Sequence, residues 1–223
     1  MCQLSELDAQ RGKLAQEAGR QILTHAQERA RCTGVQQIEG LMRHGELVDT
    51  VLKMEAYARL FVLGEHQQAS KAGKLHLDHH VERVIRAVNR PVLVAAAEHF
   101  AEPERIVLAY DGSATARKMT ETVASSPMLK GLPVLVAMSG PNTPSTHHQL
   151  QEAQNTLNDA GFVATTVRLD GEPEQTIPEL LQAQGSALLV MGAYGHSRIR
   201  HLVIGSTTTT LLRLSKSPVL VMR

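Results

Sequence analysis

The sequence predicts an α/β fold: an open, parallel, five-stranded sheet with helices on both faces, preceded by a partial second copy of the same pattern. Three observations predict it. Short apolar runs alternate with helical stretches five times between Arg105 and Met222. Those runs are continuously apolar, as strands covered on both faces are. Segments of the first half also recur in the second half at a nearly constant offset.

The elements follow in order. Arg105-Ile-Val-Leu-Ala-Tyr110 is a first strand that stops at Asp111-Gly112-Ser113, and a helix runs from about Ala114 to Ser125. Leu132 to Met138 is a second strand, closed by Ser139-Gly-Pro, and His147 to Ala160 is helical up to Gly161. Phe162 to Arg168 is β-branched and reads as a strand. Pro173 to Gln184 is a helix with Gly185 as its C-terminal stop. Ala187 to Met191 is a buried strand ending at Gly192, Ser206 to Leu214 a helix, and Pro218 to Met222 the last strand. Parallel sheets bind ligands beyond the carboxyl ends of their strands. Asp111, the turn after Met138 and Gly192 all fall there.

The first half repeats the end of this pattern. Leu60-Phe-Val-Leu-Gly64 matches Leu188-Leu-Val-Met-Gly192, and Arg90-Pro-Val-Leu-Val94 matches Ser217-Pro-Val-Leu-Val221. His44-Gly-Glu to Thr50 matches Asp170-Gly-Glu to Thr176. The offsets are 128, 127 and 126 residues, so a whole domain is duplicated rather than a short solenoid unit. The expected domains are therefore a truncated, degenerate copy over 1–100 and a complete one over 101–223. Met1 aligns near Met128, so the first copy lacks counterparts of the first strand, first helix and second strand. A shortened gene start and a natural half-domain that packs on the second both account for this. Glu6 to Arg31 reads as a long helix, and three strands are expected, around Val35–Gly40, Leu60–Gly64 and Pro91–Ala95.

Composition narrows the function classes. Of 223 residues, 43% are hydrophobic and only 3% aromatic, so the core is aliphatic and base-stacking platforms are scarce. A net charge of +1 supplies no pull toward nucleic acid or an acidic membrane. No apolar run reaches the roughly 18 residues of a membrane span. The N-terminal stretch is charged throughout, unlike a signal peptide. Cys2 and Cys32 are too few for a disulfide framework, which points to a reducing cytoplasm.

The strongest local signal is Gly192-Ala-Tyr-Gly195-His-Ser-Arg-Ile-Arg-His-Leu-Val-Ile-Gly205-Ser206-Thr207. It has the form G-x2-G-x9-G-[ST], directly after a buried strand and directly before a helix. Glycines let the backbone turn tightly and approach a ligand with no Cβ in the way. A helix N-terminus offers unpaired N–H groups and a dipole that favours an anion. Hydroxyls of Ser206 and Thr207 can donate to phosphate oxygens.

This pattern resembles the universal stress protein family in its tandem form, over all of Arg105–Arg223 and part of Glu6–Ala97. G-x2-G-x9-G-[ST] is the pattern of the family's ATP-binding members, and Asp111 stands where they carry an acid after the first strand. The resemblance implies an adenine nucleotide alpha hydrolase-like sheet and ATP as ligand, with or without Mg. It implies that Asp111 bonds the ribose or adenine side, that residues around Val136–Met138 and Met191 line the adenine pocket, and that Gly192, Gly195, Gly205, Ser206 and Thr207 hold the phosphates. Ala109, which replaces the proline of many relatives, completes the cofactor-binding set. Ala193-Tyr194 departs from the small polar or basic residues of many ATP binders. The resemblance further implies that Pro91–Ala95 and Pro218–Met222 pair within one chain, and that chains associate as a homodimer.

The first copy has lost the motif. Gln67 replaces the second glycine, and Asp78-His79 stands where Gly-Ser belongs. A carboxylate there repels phosphate and suits the helix dipole itself, which predicts one competent site per chain. His76, His79 and His80 have helical zinc spacing but read as surface histidines, as His147-His148 does; Arg198 and Arg200 lie inside the loop. No catalytic constellation is present: no Walker A lysine, no G-x-S-x-G, no H-E-x-x-H. The leading expectation is a stress-response nucleotide-binding regulator that acts by ligand-dependent conformation or association. A slow ATPase or phosphotransferase and a structural pseudo-dimer without nucleotide are the alternatives.

Overall fold

A computed structural model describes residues 2–64, 79–95, 101–193 and 206–223, with the side chains of 2–9 and 206 outside the description. The chain divides into two compact units, Met1–Glu46 and Leu47–Arg223. The first unit holds one helix, α1 (Cys2–Cys32), slightly longer than the expected one. It ends in a Schellman motif: Gly34 takes φ +89°, its N–H reaches the Arg31 carbonyl at 3.0 Å, and the Val35 N–H reaches the Ala30 carbonyl at 3.0 Å.

The strand expected at Val35–Gly40 does not form; residues 35–40 have no regular structure. Val35 spends its N–H on the helix cap, and Gln36, Gln37 and Glu39 supply none of the apolar alternation that a half-buried strand needs.

The second unit contains all the strands that the described residues form. In chain order these are α2 (Leu47–Met54), β1 (Phe61–Gly64), α3 (His79–Ala87), β2 (Val92–Ala95), β3 (Arg105–Ala109), α4 (Ala114–Ala124) and β4 (Val134–Ser139). Then come α5 (Pro144–Asp159), β5 (Ala164–Leu169), α6 (Pro173–Gln184), β6 (Ala187–Gly192), α7 (Ser206–Leu214) and β7 (Val219–Met222). Two boundaries moved for local reasons. Helix α5 starts early because Thr143 accepts the Thr146 N–H at 3.2 Å and Pro144 fits the first helical position. Strand β5 starts late because the Phe162 N–H caps α5 through the Leu157 carbonyl at 3.0 Å.

One seven-stranded sheet runs in the order β1-β2-β7-β6-β3-β4-β5. The five strands of the complete copy are parallel, as the sequence predicts. The partial copy adds β1 and β2, parallel to one another. The copies meet where β2 pairs antiparallel with β7, the within-chain pairing that the resemblance implies. The register is self-complementary. Leu93 faces Leu220, its own repeat counterpart, while Val92 faces Val221 and Val94 faces Val219. A local two-fold axis therefore passes through this seam, as it does between subunits of an isologous dimer. The helices obey the same repeat: α2 matches the start of α6, and α3 matches α7 end for end. The repeat does not coincide with the compact units: β1 and β2 match β6 and β7, yet β2 is stitched into the same sheet as β7.

Alternation along the strands sends side chains to two cores. Val94, Val107, Leu189 and Val219 lie on one face, under α2, α3, α6 and α7. Ile106, Leu108, Val190 and Leu220 lie on the other, under α4 and α5. Arg223 ties the end of the sheet to the partial copy, donating to the Arg86 carbonyl at 2.8 Å near the end of α3, where a cation suits the helix dipole.

Candidate functional site

Strand β3 lies between β6 and β4. The chain leaves β3 toward β4 and β5, then crosses back to β6 and β7. At such a switch point the loops after neighbouring strands diverge and open a crevice at the carboxyl ends. A cavity of about 480 Å³ occupies that position. Ala109, Asp111, Met138, Met191, Gly192 and Thr207, all expected from the sequence, line it. Gly195 and Gly205 lie outside the described residues, as do Tyr194, Arg198, Arg200, Gln67, His76 and Asp78. Ser206 opens α7, as predicted.

The first wall is a tight turn after β3. Asp111 Oδ1 accepts the Ser113 N–H at 3.0 Å, Ser113 Oγ accepts the Ala116 N–H at 3.1 Å, and Arg117 Nη1 donates to the Gly112 carbonyl at 2.7 Å. Gly112 sits at φ +73°, a left-handed conformation that glycine adopts without a steric cost. Gly112→Ala is expected to lower stability by about 1–2 kcal/mol, read as a shift in denaturation midpoint. A Cβ there also runs into Gln149 Oε1, a side-chain end that must turn away.

The floor is apolar. Met138 and Met191 are buried at the ends of β4 and β6, and Ile177 closes the floor from α6. Tyr110 is buried beside them, and loss of hydration pushes its phenol above the ordinary 10.0, with the nearby Arg117 opposing.

The far wall joins α6 and α7. Thr208 Oγ1, buried, donates toward the Gly192 carbonyl at 3.1 Å and anchors α7 to the end of β6. Thr207 Oγ1 donates to Glu174 Oε1 at 2.5 Å, and Ser139 Oγ meets Thr176 Oγ1 at 2.7 Å. Sequence reading missed Glu174, Ser139 and Thr176. Glu174 looks like an ordinary first-turn acid after Pro173, and only tertiary contact reveals its partner.

A second hollow of about 490 Å³ lies at the opposite end of the sheet, beside Gly185, Ala187, Leu214 and Pro218. There the strands begin and α6 and α7 end, so carbonyls and the negative dipole ends face it. The dipole ends disfavour an anion there and Lys216 in the lining opposes them; the carboxyl-end cavity is the better candidate because Asp111, Gly192 and Thr207 line it. Among the described residues no three His, Cys, Asp or Glu side chains group as a metal site, and no helix is long and apolar enough to cross a membrane.

Residues 133–223 match the family model described as the universal stress protein family. Universal stress protein Slr1230 of Synechocystis sp. is 33% identical over 223 residues, covering 99% of this chain and 77% of the relative. Universal stress protein MJ0577 of Methanocaldococcus jannaschii is 25% identical over 81 residues, 36% of this chain and 50% of the relative. A universal stress protein from Archaeoglobus fulgidus DSM 4304 has the same fold, with a TM-score of 0.70 and 17% identity over 93% of this chain and 77% of that one. The near full-length identity to Slr1230, together with the matched C-terminal copy, places this chain in the universal stress protein family.

Proposed function

We propose that the protein is a stress-response regulator that binds an adenine nucleotide, ATP included, and acts through ligand-dependent conformation or association. The observation that carries the reading is the carboxyl-end cavity, which combines an apolar floor with polar ends. Met138 and Met191 offer soft, polarisable surface to a flat heteroaromatic ring. Asp111 offers carboxylate oxygens to sugar hydroxyls. Gly192, Thr207 and the start of α7 stand at the phosphate end, and the G-x2-G-x9-G-[ST] pattern of the sequence assigns Gly195, Gly205 and Ser206 to the phosphates in this reading. Mg²⁺ would accompany ATP in this reading, with phosphate oxygens as its ligands.

Other solved universal stress proteins are complexes with cAMP and, from Archaeoglobus fulgidus, with dAMP. Those ligands belong to those proteins; the reading for this chain rests on its own cavity. We read residues 1–100 as the degenerate copy of a tandem protein and 101–223 as the complete one, and a cytoplasmic homodimer as the working form. Titration calorimetry of the full chain with ATP and Mg²⁺ tests the proposal. Saturation near one nucleotide per chain and a raised melting temperature are expected. Two equal sites per chain contradict the degeneracy of the first copy. No heat and no stabilisation with ATP, ADP or AMP overturn the reading.

A further inference from the structure

Thr207 lines the cavity from the first turn of α7, where its backbone N–H points out of the helix. Its hydroxyl carries one proton, and that proton is donated to Glu174 Oε1 at 2.5 Å. Toward the cavity the hydroxyl therefore presents lone pairs, which a phosphate oxygen cannot use. Glu174 is half-buried in the first turn of α6, next to Pro173, which itself lines the cavity. A full negative charge thus stands directly behind the group expected to receive the outer phosphates. Among the described residues no Lys or Arg lines the cavity to offset it. Like charges a few ångströms apart at a partly buried site repel more strongly than in bulk water.

We infer that Glu174 is a specificity-determining residue: it penalises phosphate charge at the α7 end and sets the site's preference between adenosine monophosphate and triphosphate. The inference rests on the adenine-nucleotide reading above. In its terms, AMP carries one phosphate group against the three of ATP and takes a smaller share of the penalty. ATP can accept from the Thr207 hydroxyl only by taking its proton from Glu174, and it then faces the carboxylate.

The test is calorimetric titration of the full chain with ATP and with AMP, both in EDTA, on the native protein and on Glu174→Gln. Glutamine keeps the shape and an oxygen acceptor for Thr207 while removing the charge. ATP is expected to tighten about tenfold and AMP by less than about threefold. Equal changes for the two nucleotides overturn the inference, as does weaker ATP binding in the variant. Absence of binding by either nucleotide to the native protein overturns the adenine-nucleotide reading, and the inference with it. Should Glu174→Gln fold poorly by its melting curve, Glu174→Ala removes the same charge and is held to the same ATP-to-AMP ratio.

Discussion

Val94→Asp is expected to destabilise the protein by about 4 kcal/mol or more, enough to remove most of the folded population of an ordinary domain. Val94 is fully buried in β2, opposite Val219 across the antiparallel seam, with Val84 and Leu212 in the same core. Among the described residues no Lys, Arg or His side chain is buried, so a carboxylate there is either charged without a partner or protonated at a cost. Val62→Asp supplies the control. Val62 lies in the edge strand β1 and is 62% exposed, so the same change there is expected to stay within about 0.5 kcal/mol. Denaturant midpoints of the two variants decide the matter. Equal, small losses would mean that β2 is not built into the sheet of the complete copy.

Asp111→Ala is expected to weaken adenine-nucleotide binding by about 10- to 100-fold, the span of one hydrogen bond to a charged group. Asp111 has two tasks. One oxygen accepts the Ser113 N–H and shapes the turn, while the side chain also forms part of the cavity wall. Asp111→Asn separates them, because its amide oxygen still accepts from Ser113 while the charge is gone. The asparagine variant should therefore melt like the native protein and still bind nucleotide more weakly by calorimetry. Native-like affinity in Asp111→Asn would assign the residue to the turn alone.

Much of the complete copy was legible because its signals are local. Ala187–Met191 and Pro218–Met222 are apolar runs too continuous for a surface element, and both became interior strands. Pro173 and Gly185 bracket α6 at the first helical position and the C-terminal stop, and the helix has those limits. Boundaries failed where a cap competed with a strand. Phe162 and Val35 are apolar, yet each gives its N–H back to the preceding helix after a left-handed glycine. Neither is then available to begin a sheet ladder.

Apolar period, turn residues and repeat offset can be read along the chain, and they sufficed for the α/β class, the duplication and the placing of Asp111, Met138 and Gly192 at strand ends. Three-dimensional packing set the register in which the two copies share one sheet, Leu93 opposite Leu220, and brought Thr207 to Glu174 as its proton acceptor. Those partners are distant along the chain. Which distant groups meet is settled by how the strands pack and by the price of closing the loops between them, not by the residues' own conformational preferences.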